Sequence, residues 1–169
     1  MTRLIPALCA AALMTATAQA EVVSSSSARM VLSQKHESTL SKADLWAKLI
    51  EPKEWWLHSF SGDPGHMTLE LEAGGVWRED WEGGSVTHGQ VMAVMHGEML
   101  RLHAPFGPMQ EMGLATSLTL SVGEKEGGGS ILKMDFVANG AEGSGLTELA
   151  PAVDFVWDEA LIKLVTDKD

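Results

Sequence analysis

The stretch LEAGGVWREDW, residues 71–81, decides how the middle of the chain folds. Gly74 and Gly75 separate two runs of alternating apolar residues. Paired glycines reach the positive φ angles of a tight hairpin without strain. Before them, Met67, Leu69 and Leu71 alternate with Thr68 and Glu70, the period of a strand with one buried face. After them, the same period puts Trp77, Glu79 and Trp81 on one face of the returning strand. Large indoles favour the core side, so a carboxylate is expected to follow them inward.

Working outward, the hairpin pattern repeats. Gly83-Gly84 turns the chain into Val86–Met95, and His96-Gly97 turns it into Met99–Ala104. After the Pro/Gly/Met loop PFGPMQEMG come Leu118, Leu120 and Val122 at period two. EKEGGGS makes one more turn, and Leu132, Met134 and Phe136 form the inward side of a last strand. On the N-terminal side, residues 30–37 predict a first strand and SKADLWAKLI a helix. Ser41 is its candidate N-cap, with Asp44 three residues on. Pro52 ends it and opens a short turn, PKEWWL. Adjacent residues on a helical turn face different ways. One of Trp55 and Trp56 is therefore expected in the core beside Trp46, the other at a pocket edge. At the C-terminal end, Val153, Val156, Trp157, Ala160, Leu161, Leu164 and Val165 form one helical stripe, with Lys163 and Lys168 suited to its negative end. Phe155 and Ile162 lie off that stripe, placed to pack on the first helix or to mark a subunit contact.

The expected architecture is α+β. An antiparallel sheet of about seven strands curves around a long C-terminal helix, with two short helices after the first strand. A curved sheet around one helix encloses a cavity suited to a small apolar ligand.

The chain opens MTRLIPALCAAALMTATAQAE. Arg3, the short apolar run from Leu4 to Met14 and Ala18-Gln19-Ala20 read as a secretory signal peptide, residues 1–20, cut after Ala20. Residues 21–29 read as a flexible, serine-rich lead-in and residues 30–169 as one domain. The expected location is periplasmic or secreted. The single cysteine, Cys9, leaves with the leader, so no disulfide is expected. The net charge of −11 argues against nucleic acid and against an anionic membrane surface. No later segment is apolar enough to span a bilayer.

The pieces LWAKLIEPKEWW, LELEAGGVWREDWEGG, THGQVMAVMHGEMLRL, APFGPMQ, GGSILKMDFVANG and LTELAPAVDFVWDEALIKL run in order over residues 30–165. Together they resemble the SRPBCC (START-like, helix-grip) superfamily. The closer resemblance is to the branch labelled activator of heat-shock-protein ATPase homologues, or polyketide-cyclase-like. The resemblance implies a helix-grip fold with a hydrophobic pocket, in a superfamily that includes lipid carriers, cyclases and co-chaperone domains. It also implies that the position of Glu79 faces the cavity. An exported protein does not meet a cytosolic heat-shock ATPase, so that partner is not expected.

A carboxylate between apolar walls has a raised pKa and acts as an acid or a hydrogen-bond partner. The alternatives for Glu79 are a wet outer face, or simple pairing with a base such as Arg101. His88, His96 and His103, with Met92, Met95 and Met99 nearby, are the residue types that bind copper. They lack a short ligand spacing, so no metal and no cofactor is expected. Most of the ten methionines read as core filling, but Met109 and Met112 lie in the Pro/Gly loop and suit a cavity mouth. The expected ligand-binding set is Trp56, Trp77, Glu79, Trp81, Met109, Met112 and Trp157. The leading expectation is an exported binding protein for a small hydrophobic or amphipathic molecule. The alternatives are a cyclase, hydratase or isomerase using Glu79 with His58 or His66, and a protein-interaction module whose interior is only a core.

Overall fold

The computed structural model describes residues 19–166. The expected leader, apart from Gln19 and Ala20, therefore lies outside the described residues, as does Lys168. Among the described residues eight strands are formed: β1 (Gln19–Ser26), β2 (Arg29–Ser38), β3 (Met67–Leu69), β4 (Val76–Trp81), β5 (Gly84–Met95), β6 (Met99–His103), β7 (Ala115–Glu124) and β8 (Ser130–Asn139). Two α-helices, α1 (Lys42–Leu49) and α2 (Leu146–Val165), complete the domain, with short 3₁₀ turns at Pro52–Glu54, Pro64–His66 and Gly107–Met109. The strands make one antiparallel sheet in the order β1-β2-β8-β7-β6-β5-β4-β3. Among the described residues, no helix is long and apolar enough to cross a membrane.

The sheet has eight strands where about seven were expected, and the added one comes from the serine-rich lead-in. β1 pairs along β2 from Gln19↔Lys35 to Ser26↔Arg29. Composition misled here because backbone amides make the ladder, and serine side chains do not prevent it. Val22 is half-buried against the core, and the ladder shifts register after it, leaving Val23 exposed.

The Gly-Gly hairpin forms as expected. Gly74 holds φ at +91°, and a Cβ on Gly75 would run into the Glu70 carbonyl. Ser41 caps α1, accepting from the Asp44 amide at 3.1 Å and donating to its carboxylate at 2.6 Å. Trp55 and Trp56 are both buried, Trp55 in the core and Trp56 on the wall of a cavity, so the division between core and pocket edge holds although neither ring turns outward. The 3₁₀ turn ends at Glu54, so the two indoles sit on non-helical backbone and diverge into the same interior. Trp55 donates to the Leu49 carbonyl and Trp56 to that of His58.

α2 lies against the concave face with Val153, Trp157, Ala160, Leu161 and Leu164 buried. The inward row of β2 begins apolar with Met30 and Leu32, then turns polar with Gln34, His36 and Ser38. Each meets α2. Gln34 donates to the Asp154 carbonyl at 2.8 Å, His36 lies 3.6 Å from Asp158 Oδ1, and Ser38 donates to the Val165 carbonyl. Lys48 of α1 donates to the carbonyls of Lys163 and Thr166, serving the negative end of α2. These contacts fix the helix lengthwise on the sheet. Phe155 and Ile162 are exposed.

Candidate functional site

A cavity of about 240 Å³ opens beside the N-terminal half of α2. Val153 and Trp157 of α2 form one wall, and Trp56 and Phe60 from the segment after α1 form another. Phe106 and Met109 of the Pro/Gly loop close it. The aromatic rings brace one another at tilted and edge-on angles. Trp56 is 4.9 Å from Trp157 and 5.0 Å from Phe106, and Phe106 is 5.2 Å from Trp77. Such pairs hold their geometry through the ring quadrupole as well as through burial.

Two histidines reach the wall. His58 is exposed at the rim. His88 is 1% exposed and enters from β5. A β-bulge directs it inward. On β4, Trp77 pairs with Gly89 and Arg78 with Thr87, so His88 is the extra residue between them. His88 and Gly89 are consequently both buried, breaking the alternation of the strand. Gly89 suits the place, because a Cβ there would press on Ala104 and the His103 carbonyl.

Behind His88 stands Glu79, which is 0% exposed. Its Oε2 lies 3.0 Å from His88 Nε2 and accepts the Phe60 amide at 2.9 Å. Its Oε1 accepts the Ser61 amide at 2.6 Å. Burial pushes the Glu79 pKa up, but the bonds from Ser61, Phe60 and His88 outweigh it and hold the carboxyl below its ordinary value. Burial lowers the His88 pKa, and the adjacent carboxylate only partly opposes that. The pair is therefore an ionised Glu79 and a neutral His88. A carboxylate only accepts, so the imidazole proton sits on Nε2 and Nδ1 carries the lone pair. Nδ1 has no hydrogen-bond partner among the described residues. It is also not one of the sealed, partnerless atoms, which are Trp77 Nε1 and Asp158 Oδ1.

Of the expected ligand-binding residues, Trp56, Met109 and Trp157 line the cavity. Trp77 and Glu79 face inward but stand behind the wall, in contact with Phe106 and His88. Glu79 thus enters the interior to hold a loop and a histidine, and its pKa is lowered where a rise was expected. Trp81 is half-buried at the strand end, lying over Gly84, and does not reach the cavity. Met112 is 38% exposed and also stands off it. Of the expected histidine partners, His66 is exposed and meets Ser61 Oγ at 3.0 Å, and His58 stays at the rim. His88 takes the place next to Glu79. The other two histidines of the copper-type set go elsewhere: His103 bonds Thr116 and His96 is exposed at a turn. Met92 and Met95 are exposed, so they do not fill the core. Among the described residues, no group of three or more His, Cys, Asp or Glu side chains is placed to hold a metal.

The sequence did carry a signal for His88. His88 and Val91 are both candidates for the inward face, yet they are three apart, an odd spacing that a strand satisfies only through a bulge.

No protein-family model matches the chain, and no curated protein matches it. Solved structures do. A conserved protein of unknown function from Enterococcus faecalis aligns over 90% of this chain and 75% of its own at 14% identity, with a TM-score of 0.59. A protein of unknown function from Staphylococcus aureus covers 80% of this chain and 91% of its own at 12% identity, TM-score 0.61. A Rhodobacter sphaeroides protein covers 86% and 95% at 20% identity, TM-score 0.55. The chain has a helix-grip-like fold. Likeness at these identities carries the fold and nothing further.

Proposed function

We propose that this protein is an exported binding protein of the SRPBCC type, holding a small hydrophobic molecule between the sheet and α2. The observation that carries this reading is the cavity itself. An aromatic and aliphatic wall lines a half-open cavity of about 240 Å³, with His88 the buried polar side chain on it. Apolar pockets with one or few placed polar groups are the usual form of small-molecule sites. An interior that served only as a core would be filled. The leader-like start, residues 1–20, supports export. Native mass spectrometry of the protein taken from the periplasm tests both parts. The expected result is a chain beginning at Glu21 that carries a small molecule released on activation. A full-length chain in the cytoplasm overturns export, and an empty protein that takes up no apolar compound overturns binding.

The Glu79–His88 pair favours a second reading, acid–base catalysis on a bound substrate. A neutral imidazole oriented by a carboxylate is a competent general base. Here His88 takes the part expected of His58 or His66, with Glu79 fixing its tautomer. Turnover that disappears in His88→Gln while ligand binding persists separates this from simple carriage.

A further inference from the structure

The hydrogen-bond roles at the cavity narrow the chemistry of its ligand, provided that the cavity is the binding site. We infer that the ligand is a neutral molecule of one or two rings that donates a single O–H to His88 Nδ1, and that free carboxylates are excluded.

Glu79 has two oxygens, and each already accepts a backbone amide, from Phe60 and Ser61. The carboxylate has no proton to give, so its contact with His88 requires the hydrogen on Nε2. That leaves Nδ1 as an acceptor on a wall that is otherwise apolar apart from His58 at the rim. A donor entering this cavity finds a buried partner in Nδ1, whereas an acceptor finds a donor only in exposed His58 at the rim and loses its water deeper in. Among the described residues no Lys or Arg lines the cavity, so an anionic ligand meets no counter-charge from them. It meets the negative charge of Glu79 across one imidazole ring instead. The volume sets the size. A cavity of about 150 Å³ holds benzene, and this one is larger, at about 240 Å³.

Three matched probes test the inference by equilibrium dialysis near neutral pH: naphthalene, 2-naphthol and 2-naphthoate. The expected order is 2-naphthol tightest, naphthalene about tenfold weaker, and 2-naphthoate weakest. In His88→Phe the advantage of 2-naphthol over naphthalene disappears, while naphthalene affinity stays within about threefold. If that variant fails to fold, the wild-type ranking decides alone. Equal binding of 2-naphthol and naphthalene, or preference for 2-naphthoate, overturns the inference and leaves the binding reading standing. Failure of all three probes to bind overturns both.

Discussion

Both oxygens of Glu79 are occupied by the backbone of the segment at Phe60 and Ser61, so the side chain ties one wall of the cavity to β4. An amide cannot do the same work. Glu79→Gln keeps one accepting oxygen and turns an NH₂ toward a backbone N–H, or toward His88 Nε2–H. The donor left facing another donor is buried, and such a loss costs about 1–3 kcal/mol. Glu79→Gln is therefore expected to lower the urea midpoint with little change in its slope. It is also expected to weaken a ligand that donates to His88, because the tautomer is no longer dictated. An unchanged midpoint would show that the two amides find water instead. The sequence suggested that Glu79 points inward, and it does. It did not supply the two amide partners, because these come from a loop with no periodicity to place it. The direction of the pKa shift depended on those partners, which is why burial alone gave the wrong sign.

Elements set by regular alternation or by a helical stripe were readable, and irregular ones were not. The β3–β4 hairpin, the Ser41 cap and the α2 stripe follow from spacing and turn chemistry. The bulge at His88 and strand β1 depend on the partner strand, and the chain's own pattern hides them. Two truncations test the reading of β1. A chain starting at Glu21 keeps the ladder from Glu21↔Ser33 onward and is expected to melt as a stable domain. A chain starting at Arg29 uncovers the outer edge of β2 and loses the packing of Val22. It is expected to melt several degrees lower and to aggregate, as open edges invite pairing. Equal melting of the two would restore the lead-in reading. On the other side of the interior, Trp157 is 1% exposed and meets Trp55, Trp56 and Phe106. Trp157→Ala is expected to cost about 3–5 kcal/mol in chemical denaturation. It also enlarges the cavity, so it should admit a bulkier apolar probe than the wild type accepts. A midpoint that barely moves would mean that α2 is not what closes the sheet.

Across the whole molecule, acidification acts in two opposite senses. The chain carries a net charge of −11 and a pI near 4.9, so lowering the pH toward that point relieves self-repulsion. Three interior groups act the other way. His36 and His88 are held below the ordinary 6.5 by burial, with Asp158 and Glu79 respectively opposing the shift only in part. Glu79 is held below the ordinary 4.5, its hydrogen bonds outweighing burial. For each group the unfolded chain binds a proton more readily than the native one, so stability rises with pH. The histidine contribution is complete above 6.5 and is lost as the pH falls below it. The Glu79 contribution is lost at lower pH still, below 4.5. Salt separates the two senses, because it screens exposed charges strongly and buried ones weakly. At about 0.5 M salt, where the Debye length is under about 10 Å, the melting temperature is expected to fall by several degrees between about pH 7.5 and about pH 5.5. His36→Phe removes one of the two histidine contributions and should flatten that slope, even if it lowers stability at every pH. A melting temperature that holds or rises on acidification at high salt would mean that the two histidines take up protons without leaving the fold. The polar row of Gln34, His36 and Ser38 against α2 would then accommodate the charge, with Asp158 as its partner.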